Sequence, residues 1–351
     1  MAERTTIKEL ARRCGVSIGT VSRALNGYTD VAPDTRARIL AVAEEHDYTP
    51  QAAARTLVTQ RSNVIGVFLM TGEGHPDLQH PFFHEVLVGL KDTIGTHGYD
   101  LLLFASAPPG NGHGQYPYLK RARHHRVDGV VLMGCPPDDP DVGRLARSDL
   151  PCVGVDMELS GARAGYVASD NVQGGRIAVD HLHALGHSRI ATVAGPLDTR
   201  PARDRLRGFR DGITAAGLAY RDELVDYGDW YVDSGHDAAR RLLALDERPT
   251  AIVAASDMMA AGAYRAAREA GIDVPGDLSV IGYDDIVLAA HLHPPLTTVR
   301  QDKLGLGAAA AHALLRQIDD ESSPPPASLP VELVVRGSTA PPPAGTAGSR
   351  R

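Results

Sequence analysis

Two rhythms of apolar positions divide this chain. Over residues 5–47 they recur at helical spacing: Ile7, Leu10 and Ala11, then Val21, Ala24 and Leu25, then Ile39, Leu40 and Ala43. Each set forms a stripe along one helix face. The punctuation agrees. Thr6 with Glu9 forms a capping box, Cys14-Gly15 breaks the first helix, Ser17 caps a second that ends at Asn26-Gly27, and Pro33 opens a third. From Asn63 short apolar runs alternate with helical patterns. They are "VIGVFLM" (64–70), "YDLLLFA" (99–105), "DGVVLMG" (128–134), "PCVGVD" (151–156), "RIATVAG" (189–195), "TAIVAAS" (250–256), "LSVIGYD" (278–284) and "VELVVR" (331–336). Runs apolar on both faces and spaced by helices predict parallel strands of doubly wound sheets. The two series, 64–156 and 189–284, predict two α/β lobes with a crevice between them.

The expected organisation is an all-α head over 1–48, a linking segment over 49–63 and a two-lobed body over 64–340. The Pro/Gly-rich "PPPAGTAGSRR" predicts a disordered tail over 341–351. The 351 residues are 43% hydrophobic and 23% charged, a globular composition. No apolar run approaches the roughly 18–20 residues of a membrane span. The N-terminal "MAERTTIKEL" is polar and charged, without the apolar run of a signal peptide, so a cytoplasmic location is expected. Cys14, Cys135 and Cys152 have no CxxC spacing and cannot pair evenly, which predicts reduced thiols. The net charge of −7 argues against a general nucleic-acid binder, but it is unevenly spread. Residues 1–62 hold 9 Lys/Arg against 7 Asp/Glu, leaving 27 against 36 for the remainder. A mildly basic head on an acidic body suits a protein that touches DNA at one end.

A helix-turn-helix needs a small residue where its helices cross, a turn residue free to take positive φ and an apolar plug from the second helix. Ala11, Gly15 and Val21 stand at those places. Other signals carry less. "GLGAAA" (305–310) fits GxGxxA, but no strand is predicted ahead of it, so no dinucleotide site is expected. His181 and His183 face different helix sides, and Gly186 ends the helix before His187. "HLHP" (291–294) and "HHR" (124–126) lack acidic or Cys partners, so no metal is expected. No nucleophile elbow appears, and Asp284-Asp285 diverge as neighbours on a strand end. No enzyme and no cofactor are expected.

The head, "TIKELARRCGVSIGTVSRALNG" followed by "TRARILAVAEEHDYTPQAAARTL", resembles the headpiece of the lactose-repressor/galactose-repressor family of bacterial transcription regulators. The body blocks "RVDGVVLMG", "SDNVQGGRIAVDHLHALGHSRIATVAGP", "RLRGF", "GYDDI" and "PPLTTVRQD" resemble that family in order, from about Thr5 to Thr339. The resemblance implies helix-turn-helix heads on periplasmic-binding-protein-like bodies, assembled as a homodimer. Its partners would be double-stranded, near-palindromic operator DNA and a small-molecule effector.

In the second helix, 17–25, the resemblance implies that Ser17, Thr20 and Ser22 meet phosphates or bases and that Arg23 makes a bidentate contact to guanine. Ile18 and Gly19 fall on two main base-reading positions. Ile18 is expected against a thymine methyl, since Val21, Ala24 and Leu25 supply the buried stripe, whereas Gly19 offers only a close backbone. Thr6 and Asn26 complete the contacts. Gln51–Val58 matches the hinge helix, with Leu57 as the leucine wedge between base steps, Ala54 as the small residue permitting close approach, and Gln51 where Asn is more frequent. For the effector, the resemblance implies Trp230 as a flat cover and Arg205 and Asp284 as polar anchors. Asp156, Ser256 and Gln301 are further lining residues, and Phe82-Phe83 close the first lobe.

The function so implied is a repressor of sugar uptake or catabolism genes, released from its operator by a sugar. A corepressor-dependent regulator binding a purine-like metabolite is the alternative. A sugar receptor without DNA function is a weaker one.

Overall fold

The computed structural model describes residues 5–25, 28–48, 61–70, 78–105, 117–136, 138–319 and 327–343. The chain falls into two units, Met1–Asn63 and Val64–Arg351. In the first, α1 (Ile7–Cys14) begins where Thr6 Oγ1 accepts the Glu9 amide and stops at Gly15, whose φ of 64° only glycine adopts freely. Glu9 itself turns away to pair with Arg12 and Arg13, so only the threonine half of the expected capping box is made. Next come α2 (Ile18–Leu25) and α3 (Pro33–Glu45). Leu10, Ala11, Val21, Ala24, Ile39 and Ala43 close a small core. Leu40, expected among them, is 46% exposed, because it lies one position beyond the buried Ile39 on a helix whose inner stripe continues through Ala43.

The second unit holds two sheets. In the first, β1 (Val64–Leu69), β2 (Asp100–Phe104), β3 (Gly129–Met133), β4 (Cys152–Val155), β5 (Ala164–Ser169) and β11 (Ala327–Leu329) run parallel in the order β11-β5-β4-β3-β1-β2. In the second, β6 (Ile190–Ala194), β7 (Val225–Tyr227), β8 (Ala251–Ala254), β9 (Ser279–Asp284), β10 (Thr297–Gln301) and β12 (Val331–Val334) take the order β12-β10-β9-β8-β6-β7. Helices cover both faces of each sheet. In the first lobe α4 (Pro81–Thr96) and α12 (Lys303–Ile318) lie opposite α5 (Tyr118–His124) and α6 (Pro140–Ala146). In the second, α7 (Asn171–Ala184) and α8 (Arg200–Ala215) lie opposite α9 (Val232–Leu243) and α10 (Asp257–Glu269), with α11 (Val287–His291) beside them. Two-sided burial is why the inner strands read as unbroken apolar runs.

The chain passes between lobes three times, from β5 to α7, from β10 to α12 and from β11 to β12. The carboxyl ends of both sheets border the crevice. β12 departs from expectation: it pairs antiparallel with β10. Only Pro330 separates it from β11. A chain leaving the first sheet at its carboxyl end therefore enters the second from that end, and a parallel strand would need a full crossover. "GLGAAA" is a second correction, because β10 does precede α12. Its glycine serves packing, however. A Cβ on Gly307 would lie 2.0 Å from Val86 O, and one on Gly89 would lie 2.1 Å from Leu304 O, so α4 and α12 touch backbone to backbone. Residues 341–343, expected within the tail, are described, and Pro342 lies beside Gly186.

Candidate functional site

On α2 the buried side is Val21 and Ala24, and the opposite side presents Ile18, Gly19 and Arg23. Ile18 is 44% exposed. Ser17 Oγ accepts the Thr20 amide at 3.0 Å and lies 2.9 Å from Thr20 Oγ1, which gathers two hydroxyls at the helix start, where backbone amides also favour an anion. Arg23 is exposed, with Nε 3.5 Å from Asp30. A Cβ at Gly19 would meet only Ser17 Oγ, at 3.6 Å. Thr6 is occupied as the cap of α1, and Ser22 is half-buried. Asn26, Gln51, Ala54 and Leu57 lie outside the described residues.

The second group of expected residues converges at the carboxyl ends of the strands, the usual ligand position in open α/β sheets. Arg205, on α8, is buried beneath the crevice. Its Nε donates to Asn171 Oδ1 at 2.8 Å, its Nη1 donates to Ala255 O at 2.5 Å, and Nη1 lies 3.5 Å from Asp284 Oδ1. The guanidinium sits 3.7 Å from the Tyr283 ring centroid and 5.3 Å from that of Trp230, a cation–π arrangement on two sides. Asp284 Oδ1 also accepts Gln301 Nε2 at 2.7 Å. Trp230 lies flat on Gly195, where a Cβ would come within 2.6 Å of the indole. Ser256 is fully buried. It donates to Trp230 O at 2.9 Å and caps α10 at the Met259 amide, so its hydroxyl holds the tryptophan's backbone and presents nothing to the crevice. Phe82 belongs to the first-lobe core, and Phe83 stands beside it at 5.3 Å between rings.

Backbone strain gathers here. Asp156, Trp230, Asp284 and Asp285 have φ of 56°, 81°, 109° and 52°, four of the seven positive-φ residues other than glycine among the described residues. Such conformations persist where the surroundings hold them and cluster at sites of function. Asp156 Oδ1, Gln301 Oε1 and Ser169 Oγ are buried without a hydrogen-bond partner. Burial pushes the Asp156 carboxyl up to about 6, against a smaller downward pull from Arg205. Asp257, beneath them, accepts Thr298 Oγ1 at 2.5 Å and the Ile286 amide at 2.8 Å. Burial, and then Asp284, raise its carboxyl well above the ordinary range.

His80 is a residue that sequence reasoning does not single out. It caps α4, accepting the Phe82 amide at Nδ1, and it is buried with Nε2 unpartnered. Its ring stands 5.7 Å from Tyr231 of the other lobe. Burial lowers its pKa, outweighing the upward pull of Asp284, which favours the neutral ring. The signal available is its place before Pro81, which fits the first turn of a helix. The other histidines of interest are structural: His187 lies 2.8 Å from Thr250 Oγ1 and 2.9 Å from Ala340 O, and His181 reaches Thr339. Among the described residues no group of three His, Cys, Asp or Glu is placed to hold a metal, and no helix is long and apolar enough to cross a membrane.

Comparison with known proteins fits both parts. Residues 6–51 match the bacterial regulatory proteins of the lacI family, and residues 179–339 match the periplasmic binding protein-like domain. The HTH-type transcriptional regulator CelR of Thermobifida fusca is 37% identical over 339 residues, 95% of this chain and 98% of the relative. The HTH-type transcriptional repressor PurR of Photobacterium profundum is 35% identical, over 90% of this chain and 93% of its own. Among solved structures, a CelR–cellobiose complex aligns with a TM-score of 0.72 at 34% identity, covering 95% of this chain and all of that one. The lac repressor dimer bound to operator and the anti-inducer ONPF aligns with a TM-score of 0.81 at 30% identity, covering 96% and 100%. With head, lobes and length all matched, the chain belongs to the lacI family of bacterial regulatory proteins, transcriptional regulators with a DNA-binding helix-turn-helix.

Proposed function

We propose that this chain is a homodimeric repressor whose operator affinity is set by an uncharged sugar held between its lobes. The observation that carries the effector class is the chemistry of the crevice. Its buried oxygens at Asp156 and Gln301 lack hydrogen-bond partners and call for a ligand rich in hydroxyl donors, beside the Asp284 carboxylate and the Arg205 guanidinium. Trp230 gives a flat apolar face suited to the C–H side of a sugar ring. Buried carboxylates oppose an anionic, phosphorylated ligand. The cellobiose in the CelR structure supports the same class. The PurR relative makes a purine corepressor the second reading, since a flat base would also stack on Trp230.

In this mechanism the effector shifts the population between two lobe arrangements. The first-lobe dimer contact then sets the spacing of the two segments around Leu57, and apart they cannot fold together in the minor groove. The protein acts by binding alone, without turnover, metal or cofactor. The test is calorimetry with cellobiose, ribose and hypoxanthine on the wild type and on Arg205→Ala. A saccharide that binds the wild type, is lost in Arg205→Ala and weakens binding to operator DNA selected from random sequence supports the reading. Binding of hypoxanthine and of no saccharide overturns it.

A further inference from the structure

Lys303 is the first residue of α12, a helix of the first lobe, yet its ammonium ends on the second. The side chain is 3% exposed. Nζ donates to Asp284 O at 2.7 Å and to Asp285 O at 3.0 Å, and it lies 3.5 Å from Glu85 Oε1 on α4. An ammonium has three donors and no acceptor. Two of them reach the carbonyls, and the Glu85 carboxylate meets the charge, as burial requires. The two carbonyls belong to consecutive residues held at φ of 109° and 52°, and the Asp284 carboxylate is the group that meets Arg205 and Gln301. A strained pair of this kind is stable only while something grips it. Arg300 and Arg336 hold the Asp285 carboxylate from within the second lobe, and the grip on the two carbonyls comes from the opposite lobe.

We infer that Lys303 is a positioning residue: it fixes the Asp284 carboxylate in the crevice and, through Glu85, ties that setting to α4. The inference rests on reading the crevice as the effector site. It adds the element through which occupancy of the second lobe reaches the first. The tie is stiff, because α4 and α12 meet at Gly89 and Gly307 with no room for a methyl group. A displacement at Lys303 therefore moves both helices together. The same α4 begins at His80, which faces Tyr231 across the crevice.

The experiment uses the full chain. Lys303→Met keeps the apolar stem and removes the charge, Lys303→Arg restores a cation, and Glu85→Gln loosens only the link to α4. Trp230 is the only tryptophan, so acrylamide quenching reports on the crevice without a ligand. In Lys303→Met the quenching constant is expected to rise about two-fold and cellobiose affinity to fall about ten-fold, as for a buried ion pair that loses one partner. The ratio of operator affinities without and with saturating cellobiose is expected to fall to about one, since that ratio measures the coupling between sites. Lys303→Arg should recover most of each. Glu85→Gln should leave cellobiose affinity within about two-fold while lowering the ratio.

A folded Lys303→Met protein with wild-type quenching, affinity and ratio overturns the inference. If that variant does not fold, an unchanged ratio in Glu85→Gln overturns it. If the wild type binds neither cellobiose nor ribose, the saccharide reading fails separately. The ligand-free quenching of Lys303→Met then decides, with a rise supporting the inference and no change refuting it.

Discussion

Asp156 bears the electrostatic cost of the crevice. Its folded pKa of about 6 lies above the ordinary 3.8, so the native state holds the proton more tightly than the unfolded chain does. Stability therefore falls as pH rises from about 4 through 6 and stays reduced above that. At 1.36 kcal/mol per unit, discounted for partial solvation, the loss is on the order of 2 kcal/mol. Asp156→Asn should accordingly unfold at higher urea than the wild type at pH 7.5 and at nearly the same urea at pH 4, while losing effector affinity. A variant less stable at pH 7.5 would show that Asp156 is better solvated than its burial implies. Arg205, Asp284 and Gln301 were legible in the sequence because their motifs are matched block by block. His80 and Lys303 were not, because a lone histidine or lysine carries no pattern and its burial is decided by a partner far away in the chain.

Helices and strands differ in what they announce. The inner strands β3, β4 and β8 are buried on every side chain and advertised themselves as apolar runs. β10, "TTVRQ", is also central, yet its threonines and glutamine are held by Ser338, Asp257 and Asp284. Hydrogen bonding there replaces hydrophobicity, and no periodicity reveals it. The glycines of α4 and α12 are a second case. Gly307→Ala should destabilise the body by about 3 kcal/mol, since a methyl group against the Val86 carbonyl must push two helices apart. Urea denaturation reads this directly, and a cost under about 0.5 kcal/mol would mean that the helices slide freely. On α2 the opposite holds at Gly19, where space is open. Gly19→Gln should raise the stability of the head by up to about 1 kcal/mol. It should also change which half-site sequence is preferred, as read by fluorescence anisotropy over a set of operator variants. Equal weakening on every variant would remove Gly19 from the reading face.

The molecule as a whole is expected to work as a pair. Sizing chromatography should give a species near twice the 37.3 kDa chain, and a monomer that still binds a palindromic site tightly would break the proposed link between lobe contact and hinge spacing. The three passages between the lobes have one more consequence, and it concerns the order in which the chain is made. β1 to β5 leave the ribosome long before α12 and β11, which arrive only after the entire second sheet except β12. Until then the first lobe lacks Leu306, Ala310, Ala311, Ala313, Leu314 and Ile318, a third of its main core, and its apolar face stays open to water and to other chains. A nascent chain halted before residue 303 would thus carry a nearly complete second lobe and an unfinished first one. In the proposed mechanism, the lobe that carries the dimer contact is thus the last to mature.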